Sequence, residues 1–99
     1  MVKNQLLWTR RSQQHLLALY KYIQKDSPQN AMKVVNDIIN AAEKTIANPE
    51  YYNLDKYKTE NDGSYRAFEK HHYRIAYRYQ KNKIRILRVR HTSMEPKRY

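Results

Sequence analysis

Apolar residues at three- and four-residue spacing predict two helices in the first half of the chain. The first stripe consists of Leu16, Leu19, Tyr20 and Ile23. The second consists of Met32, Val35, Ile39, Ala42 and Ile46. Each set falls on one side of a helix with 3.6 residues per turn, so we expect both stripes to face the hydrophobic core.

Capping and turn residues mark the ends of these helices. Thr9 or Ser12 is a candidate N-cap for the first helix, because a hydroxyl at that position accepts a backbone N–H. Ser27 suits the N-cap of the second helix, and Pro28 suits its first position. The Asn-Pro pair at positions 48–49 ends the second helix, since the residue before a proline disfavours helical geometry.

The pattern changes to strict alternation in the last third of the chain. From position 73 to 79, Tyr and Ile alternate with Arg74, Ala76 and Arg78, which predicts a strand with one apolar and one basic face. We expect further strands at residues 65–69 and 84–89, with a tight turn at positions 81–82. The apolar residues change phase between Ile86 and Leu87, so that strand has either a β-bulge or two covered faces.

The predicted order of elements indicates the fold class. Residues 2–8 are short and apolar-rich and predict a first strand, and residues 51–62 have no clear period and predict a polar connection. The order is therefore strand, helix, helix and three strands in one domain, residues 1–99. We expect an α+β fold, with the helix pair on one face of a mostly antiparallel twisted sheet and Arg side chains on the other face.

Charge is concentrated in the same last third. Residues 63–99 contain eleven Lys or Arg and two acidic residues, a net +9 of the total +11. Such clustering favours a polyanionic partner, either nucleic acid or an acidic protein segment. The absence of Cys excludes disulfides and thiolate catalysis and fits a cytoplasmic protein. We expect no membrane span, because the sequence has no long apolar run.

At this point the sequence resembles the RelE/ParE superfamily of toxins from bacterial type II toxin–antitoxin systems. The resemblance covers nearly the whole chain and rests on the element order, on HHYRIAYRY at 71–79 and on ILRVRHTSMEP at 86–96. Toxins of this kind typically open a central strand with an aromatic–Arg pair, here Tyr73 and Arg74. They typically close the last strand with an aliphatic residue followed by basic or His residues, here Val89, Arg90 and His91.

The resemblance implies growth inhibition, with two alternative targets. The stretches at 71–73 and 91–95 are closer to the ParE branch, which poisons DNA gyrase and is associated with plasmid stabilization. Arg74 and Tyr99 match positions of the RelE branch, whose members are ribosome-dependent mRNA endoribonucleases. The basic residue that commonly follows the last strand in that branch is replaced here by Thr92 or Ser93. A basic nucleic-acid-binding module without catalysis is the third reading.

A ribonuclease reading assigns roles to particular side chains. His suits proton transfer near neutral pH, and Arg suits the charge that develops on phosphorus. The catalytic candidates, if the chain is a nuclease, are His72, Arg74, His91 and Tyr99. The structural alternatives are that the two His at 71–72 are turn residues, and that Arg74 and Arg78 form a stripe that docks an acidic partner. Nothing in the sequence resembles a metal site or a cofactor motif.

The remaining candidates are binding residues. They are Arg66, His71, Arg78, Arg88, Arg90, Lys97 and Arg98. The resemblance implies a cognate antitoxin, and we expect it to contribute an acidic segment that wraps the helix pair and covers the basic face. A toxin without its partner is also expected to be capable of forming a homodimer.

Overall fold

A computed structural model of the chain describes residues 3–94 and 97–99. Its elements, in chain order, are β1 (Gln5–Trp8), α1 (Arg10–Gln24), α2 (Pro28–Ala47), β2 (Tyr65–Lys70), β3 (Tyr73–Gln80) and β4 (Lys83–His91). This is the predicted order, and the α+β class is confirmed. The predicted first strand began at Val2, which lies outside the described residues, as does Glu95.

Both predicted helix starts are confirmed. The Thr9 hydroxyl oxygen accepts the backbone N–H of Ser12 at 3.2 Å and so caps α1. The Ser27 hydroxyl oxygen accepts the backbone N–H of Asn30 at 3.1 Å, and Pro28 occupies the first position of α2. Each cap satisfies an N–H that has no partner within its own helix.

The predicted core stripe of α2 is confirmed at Ala42, and Val35 packs against the core, but the two ends of the stripe were wrong. Met32 and Ile46, which were expected to be buried, are exposed. The buried positions of α2 are Ala31, Val34, Ile38, Ala41, Ala42 and Thr45. Two adjacent stripes along this helix are both apolar, and small residues such as Ala31 in the buried stripe let the helix backbone approach the sheet. The Thr45 hydroxyl fits the core because it donates to the Ala42 carbonyl within the helix.

The four strands form one sheet in the order β1-β4-β3-β2. The β2–β3 and β3–β4 pairs are antiparallel, and β1 pairs with β4 in parallel. The sheet is therefore mixed and mostly antiparallel, as predicted. Both helices pack on one face, where the apolar side chains of the strands meet the buried stripes of α1 and α2.

Two tight turns fix the register of the antiparallel strands. Lys81 and Asn82 both have positive φ, at 53° and 62°, which is the backbone of a type I′ turn. The predicted turn at this position is confirmed. His71 and His72 also have positive φ, at 51° and 67°, so these two residues form the turn between β2 and β3. The reading of the His pair as turn residues is therefore confirmed.

The predicted β-bulge lies in β4. Ala76 pairs with Arg88 and Tyr77 pairs with Ile86, so Leu87 is the extra residue. Without this insertion, Val89 would face away from the core. The bulge returns Val89 to the helix-covered face and places Arg88 on the opposite face. No helix in the part of the chain that the structure describes is long and apolar enough to cross a membrane.

Candidate functional site

The face of the sheet turned away from the helices is called here the open face. Period-two alternation and the bulge place Arg74 and Arg78 of β3, together with Arg85, Arg88 and Arg90 of β4, on it. The sequence prediction of a basic face opposite the helices is confirmed. Residues 55–59 of the connection and residues 97–99 lie against this face. Arg74 donates to the Asp55 carboxylate, and Arg88 donates to the Lys97 carbonyl.

One half of the open face is internally neutralised. The carboxylate of Asp55 is buried, with a side chain only 1% exposed, and lies 2.9 Å from the Arg74 guanidinium. A second carboxylate, of Glu69, lies 3.2 Å from the same guanidinium. The Arg74 guanidinium also stacks on the Tyr57 ring at 4.8 Å. We call Asp55, Tyr57, Glu69, Arg74 and Tyr99 the neutralised half.

Tyr99 is held firmly in the neutralised half. Its hydroxyl donates to the Asp55 carboxylate at 2.6 Å, and its backbone N–H donates to the Tyr57 carbonyl at 3.1 Å. The backbone N–H of Thr59 donates to the Tyr99 main-chain oxygen at 2.6 Å. The 55–59 segment therefore fixes Tyr99 through both its side chain and its main chain.

Proton affinities in this half follow from burial and hydrogen bonding. Burial alone would raise the pKa of Asp55, but the hydrogen bonds from Tyr99 and Arg74 outweigh it and lower that pKa below the usual range. Burial and the bond to Asp55 raise the pKa of Tyr99 far above its ordinary value. The carboxylate therefore stays charged and the phenol keeps its proton. Such a pair is suited to holding structure.

The other half of the open face is strongly cationic. Its basic residues line a shallow cavity of about 740 Å³. We call them the basic half: Arg11, Lys58, Arg78, Arg85 and Arg88. Among the described residues, no acidic side chain lines this cavity. Arg78 and Arg85 stand directly opposite each other on adjacent strands.

The side chains of the candidate His residues do not project from the same face of the sheet as Arg74. His91 pairs with Tyr73, whereas Arg74 pairs with Arg90. The side chains of His91 and Arg74 therefore project from opposite faces of the sheet. The His91 ring lies 5.1 Å from the Tyr73 ring, and its Nδ1 accepts the Ser93 backbone N–H at 3.0 Å. His72 is exposed, with its ring 6.4 Å from that of His91. Of the catalytic candidates, Arg74 and Tyr99 therefore meet at the open face through Asp55, whereas His91 reaches only the rim of a small depression that Arg74 also lines.

The other predicted binding residues are also dispersed. The nitrogen of His71 lies 2.6 Å from the Asp37 carboxylate and ties the β2–β3 turn to α2. Arg66 lies on the helix side of the sheet, where it donates to the Tyr52 carbonyl at 2.8 Å and pairs with Glu50 at 3.3 Å. Lys97 and Arg98 are exposed. The described residues contain no group of three or more His, Asp or Glu positioned to hold a metal ion.

A separate groove of about 650 Å³ lies between α1 and the end of β4. At its wall, His15 Nδ1 accepts the backbone N–H of Val89 at 3.0 Å, which requires a neutral ring at that nitrogen. Burial lowers the pKa of His15, and Arg11, Arg90 and Arg88 lower it further. The sheet edge here is open because β1 ends at Trp8, opposite Ile86.

Sequence reasoning missed Asp55, His15 and Arg85. Asp55 lies in an aperiodic connection, and nothing in its neighbours indicates burial. His15 looked like one polar residue of a helix surface. Arg85 had a usable signal, because a two-residue turn at 81–82 fixes the register and places Arg85 opposite Arg78.

Comparison with known proteins identifies the family. Residues 6–96 match the family model described as the ParE toxin of the type II toxin–antitoxin system parDE. Among curated proteins, none matches the chain in sequence.

Solved structures show the same fold at low sequence identity. A chain of the chromosomal ParDE system of P. aeruginosa is 24% identical, with a TM-score of 0.71 over 89% of this chain and 95% of that one. A chain of the Mycobacterium tuberculosis complex RelBE2 is 17% identical, with a TM-score of 0.60 over 91% and 99%. A chain of the YoeB dimer of Staphylococcus aureus is 18% identical, with a TM-score of 0.58 over 91% of this chain and 98% of that one.

Proposed function

The chain belongs to the ParE toxin family of type II toxin–antitoxin systems, and from this premise we propose that it inhibits growth by acting on DNA gyrase in the cytoplasm. The toxin assignment follows from the family. The choice of a protein target over RNA cleavage rests on the neutralised half of the open face.

The observation that favours a protein target is the engagement of Arg74 and Tyr99. A metal-independent ribonuclease needs an Arg free to bind phosphate oxygens and a group able to exchange a proton near neutral pH. Arg74 already pairs with two carboxylates, at 2.9 and 3.2 Å. The Tyr99 hydroxyl donates to Asp55, and its raised pKa keeps the proton in place. His91 starts from the other face of the sheet.

Gyrase inhibition is the direct test. Purified chain added to gyrase and relaxed plasmid is expected to block supercoiling or to trap cleaved DNA. A translation reaction that contains the same concentration of chain is expected to proceed normally. Unimpaired supercoiling, together with arrested translation, would remove gyrase as the target.

The second candidate function is a RelE-like ribosome-dependent ribonuclease. It is favoured by one feature, a small depression lined by Arg74, Arg90 and His91 among others. The volume of this depression is about 60 Å³, far below the range of roughly 300–1,000 Å³ that is usual for ligand pockets. Under this alternative, Arg74→Ala and His91→Ala each abolish mRNA cleavage while the fold persists.

The family assignment also implies a cognate antitoxin, and we propose that it docks in the groove between α1 and β4. The alternation of the β3–β4 ladder turns the Val89 carbonyl and the His91 N–H towards the open sheet edge. Tyr22 and Met94, both exposed and apolar in part, line the groove. These features suit an extended segment that adds a strand and inserts side chains.

The charges around the groove define the expected antitoxin segment. Arg11, Arg88 and Arg90 line it, and among its described lining residues there is no acid. We therefore expect an acidic segment whose affinity falls as salt rises. Titrations of antitoxin into the chain at increasing salt measure this dependence. An affinity that stays constant from low to high salt would exclude a charge-led interface.

A further inference from the structure

The basic half of the open face holds cations that are mostly without an acidic partner among the described residues. The side chains of Arg85 and Arg11 make no hydrogen bond or ion pair with any described residue. The one carboxylate that pairs with this half within residues 3–94 is Asp62, which lies 3.4 Å from Arg78 and is 57% exposed. An exposed ion pair of that length stabilises little.

The placement of these cations opposes folding. Arg78 and Arg85 are direct partners across β3 and β4, and like charges at such positions repel. In the equivalent pair at the other end, Arg74 with Arg90, Arg74 has the carboxylates of Asp55 and Glu69 beside it. The fold thus supplies counter-charges to one Arg pair and leaves the other for an external anion.

The cations of the basic half are also held in fixed positions. The Arg88 guanidinium stacks on the Tyr99 ring at 4.0 Å, and the Arg78 guanidinium stacks on the Tyr65 ring at 4.6 Å. Lys58 lies over the same two rings, at 4.7 Å from that of Tyr65 and 5.2 Å from that of Tyr99. Arg78 donates to Ser64 and Asp62, and Arg88 donates to the Lys97 carbonyl. A guanidinium has five N–H donors, so each stacked Arg keeps further oriented donors for external oxygens.

We propose that the basic half binds phosphate groups of a nucleic-acid backbone. Arg forks match phosphate oxygens, and a backbone with a charge on every unit can meet several forks at once. Residues two apart on one strand are separated by about 7 Å, so Arg88 and Arg90 extend the row of cations along β4.

The chemistry of this face disfavours a peptide as the occupant. The hydrogen-bonding backbone groups of β3 and β4 lie in the plane of the sheet, so this face offers side chains alone. Peptide segments use free backbone groups and apolar pockets, which the groove beside α1 supplies instead. Phosphate binding goes beyond the proposed action on gyrase and does not depend on it, because it is measured on the chain and nucleic acid alone.

The test is a fluorescence-anisotropy titration of a short fluorescein-labelled DNA duplex at several salt concentrations. The variant Arg11→Gln/Arg85→Gln is expected to bind at least about tenfold more weakly, with a salt slope lower by about one unit per removed contact. The control Lys21→Gln/Lys70→Gln removes the same charge from exposed positions outside the cavity and is expected to stay within about threefold of wild type.

Two results would overturn the proposal. Equal losses in the variant and the control would mean that binding reflects overall charge. Displacement of the duplex by polyglutamate at matched charge concentration would mean that the face prefers an acidic polypeptide. Circular dichroism establishes that each variant is folded. If the double variant fails to fold, Arg11→Gln alone, in the first turn of α1, must still weaken binding and lower the salt slope.

Discussion

The two halves of the open face start from the same pattern and reach opposite electrostatic states. Each contains an Arg–Arg pair across β3 and β4, Arg74 with Arg90 in one half and Arg78 with Arg85 in the other. The connection 51–62 brings the buried Asp55 to the first pair, and β2 brings Glu69. Among the described residues, only the exposed Asp62 pairs with the second Arg pair, through Arg78.

This difference separates a structural role from a binding role. In the neutralised half, Arg74 of the sheet binds Asp55 of the connection, and Asp55 in turn accepts a hydrogen bond from Tyr99. Its removal would leave a buried charge, so this half is part of what holds the fold together. In the basic half, the cations remain available to an external partner. The same residue type in the same pattern therefore has different consequences in the two halves.

Arg74→Gln should give the largest effect. It leaves the buried Asp55 carboxylate without its ion pair, and removing one member of such a pair costs about 3 kcal/mol. Urea unfolding followed by circular dichroism measures this loss. Arg85→Gln is the matched control, because the same change in the basic half removes no bond to a described residue. Similar losses in both variants would erase the distinction between the halves.

Asp55→Asn should have the next largest effect and lower the free energy of unfolding by about 2 kcal/mol, because it weakens the charge-assisted hydrogen bonds from Arg74 and Tyr99. It should also change the pH dependence. The folded pKa of Asp55 is lowered, so its stabilisation is present above the unfolded pKa of about 4 and is lost as pH falls through the folded pKa.

The pH measurement compares the free energy of unfolding of Asp55→Asn and wild type between neutral and acidic pH. The two curves should differ near neutrality and approach each other in acid. A constant difference down to low pH would mean that the charge of Asp55 does not stabilise the fold.

The fold and the basic face were predictable from the sequence, whereas the division of that face was not. Alternation from Tyr73 to Tyr79 and the phase change at Leu87 are local signals, and both were confirmed. Asp55 reaches Arg74 only because the connection folds back over the sheet. That return depends on tertiary contacts such as the Asp55 N–H bond to the Tyr65 carbonyl, which no local period encodes.

The two phases of α2 show a second limit. A spacing of three and four residues fits Met32, Val35 and Ile39 as well as Ala31, Val34 and Ile38. Helix periodicity alone cannot choose between adjacent stripes that are both apolar. The packing of small Ala side chains against the sheet makes that choice.

His15, in the groove beside α1, should have a smaller effect on the pH dependence of stability than Asp55. Its lowered pKa means that its stabilisation is complete above the unfolded pKa of about 6.5 and is lost as pH falls from there to the folded pKa. His15→Asn should lower the free energy of unfolding by about 1 kcal/mol at pH 8, where the bond to Val89 contributes fully. The cost should be smaller at pH 5, because below the unfolded pKa of about 6.5 the unfolded chain binds a proton at His15 more readily than the folded chain. Unfolding curves at the two pH values measure this. An undiminished difference at pH 5 would contradict the neutral His15 acceptor.

The smallest expected effect on the free energy of unfolding is a gain in stability. Arg85→Gln relieves the repulsion with Arg78 and should stabilise the free chain by about 0.5 kcal/mol at low salt. The gain should shrink as salt screens the pair. Urea unfolding at low and high salt checks both statements, and a loss of stability would mean that Arg85 makes a structural contact of its own.

The central claim is that the neutralised half is structural and that the chain does not cut RNA. It is tested most directly by mapping the 5′ ends of mRNA in translating ribosomes exposed to purified chain. The account predicts no new ends with the wild-type protein. New ends that disappear with His91→Ala, and with a variant at Arg74 shown to remain folded, would contradict it and establish the ribonuclease alternative.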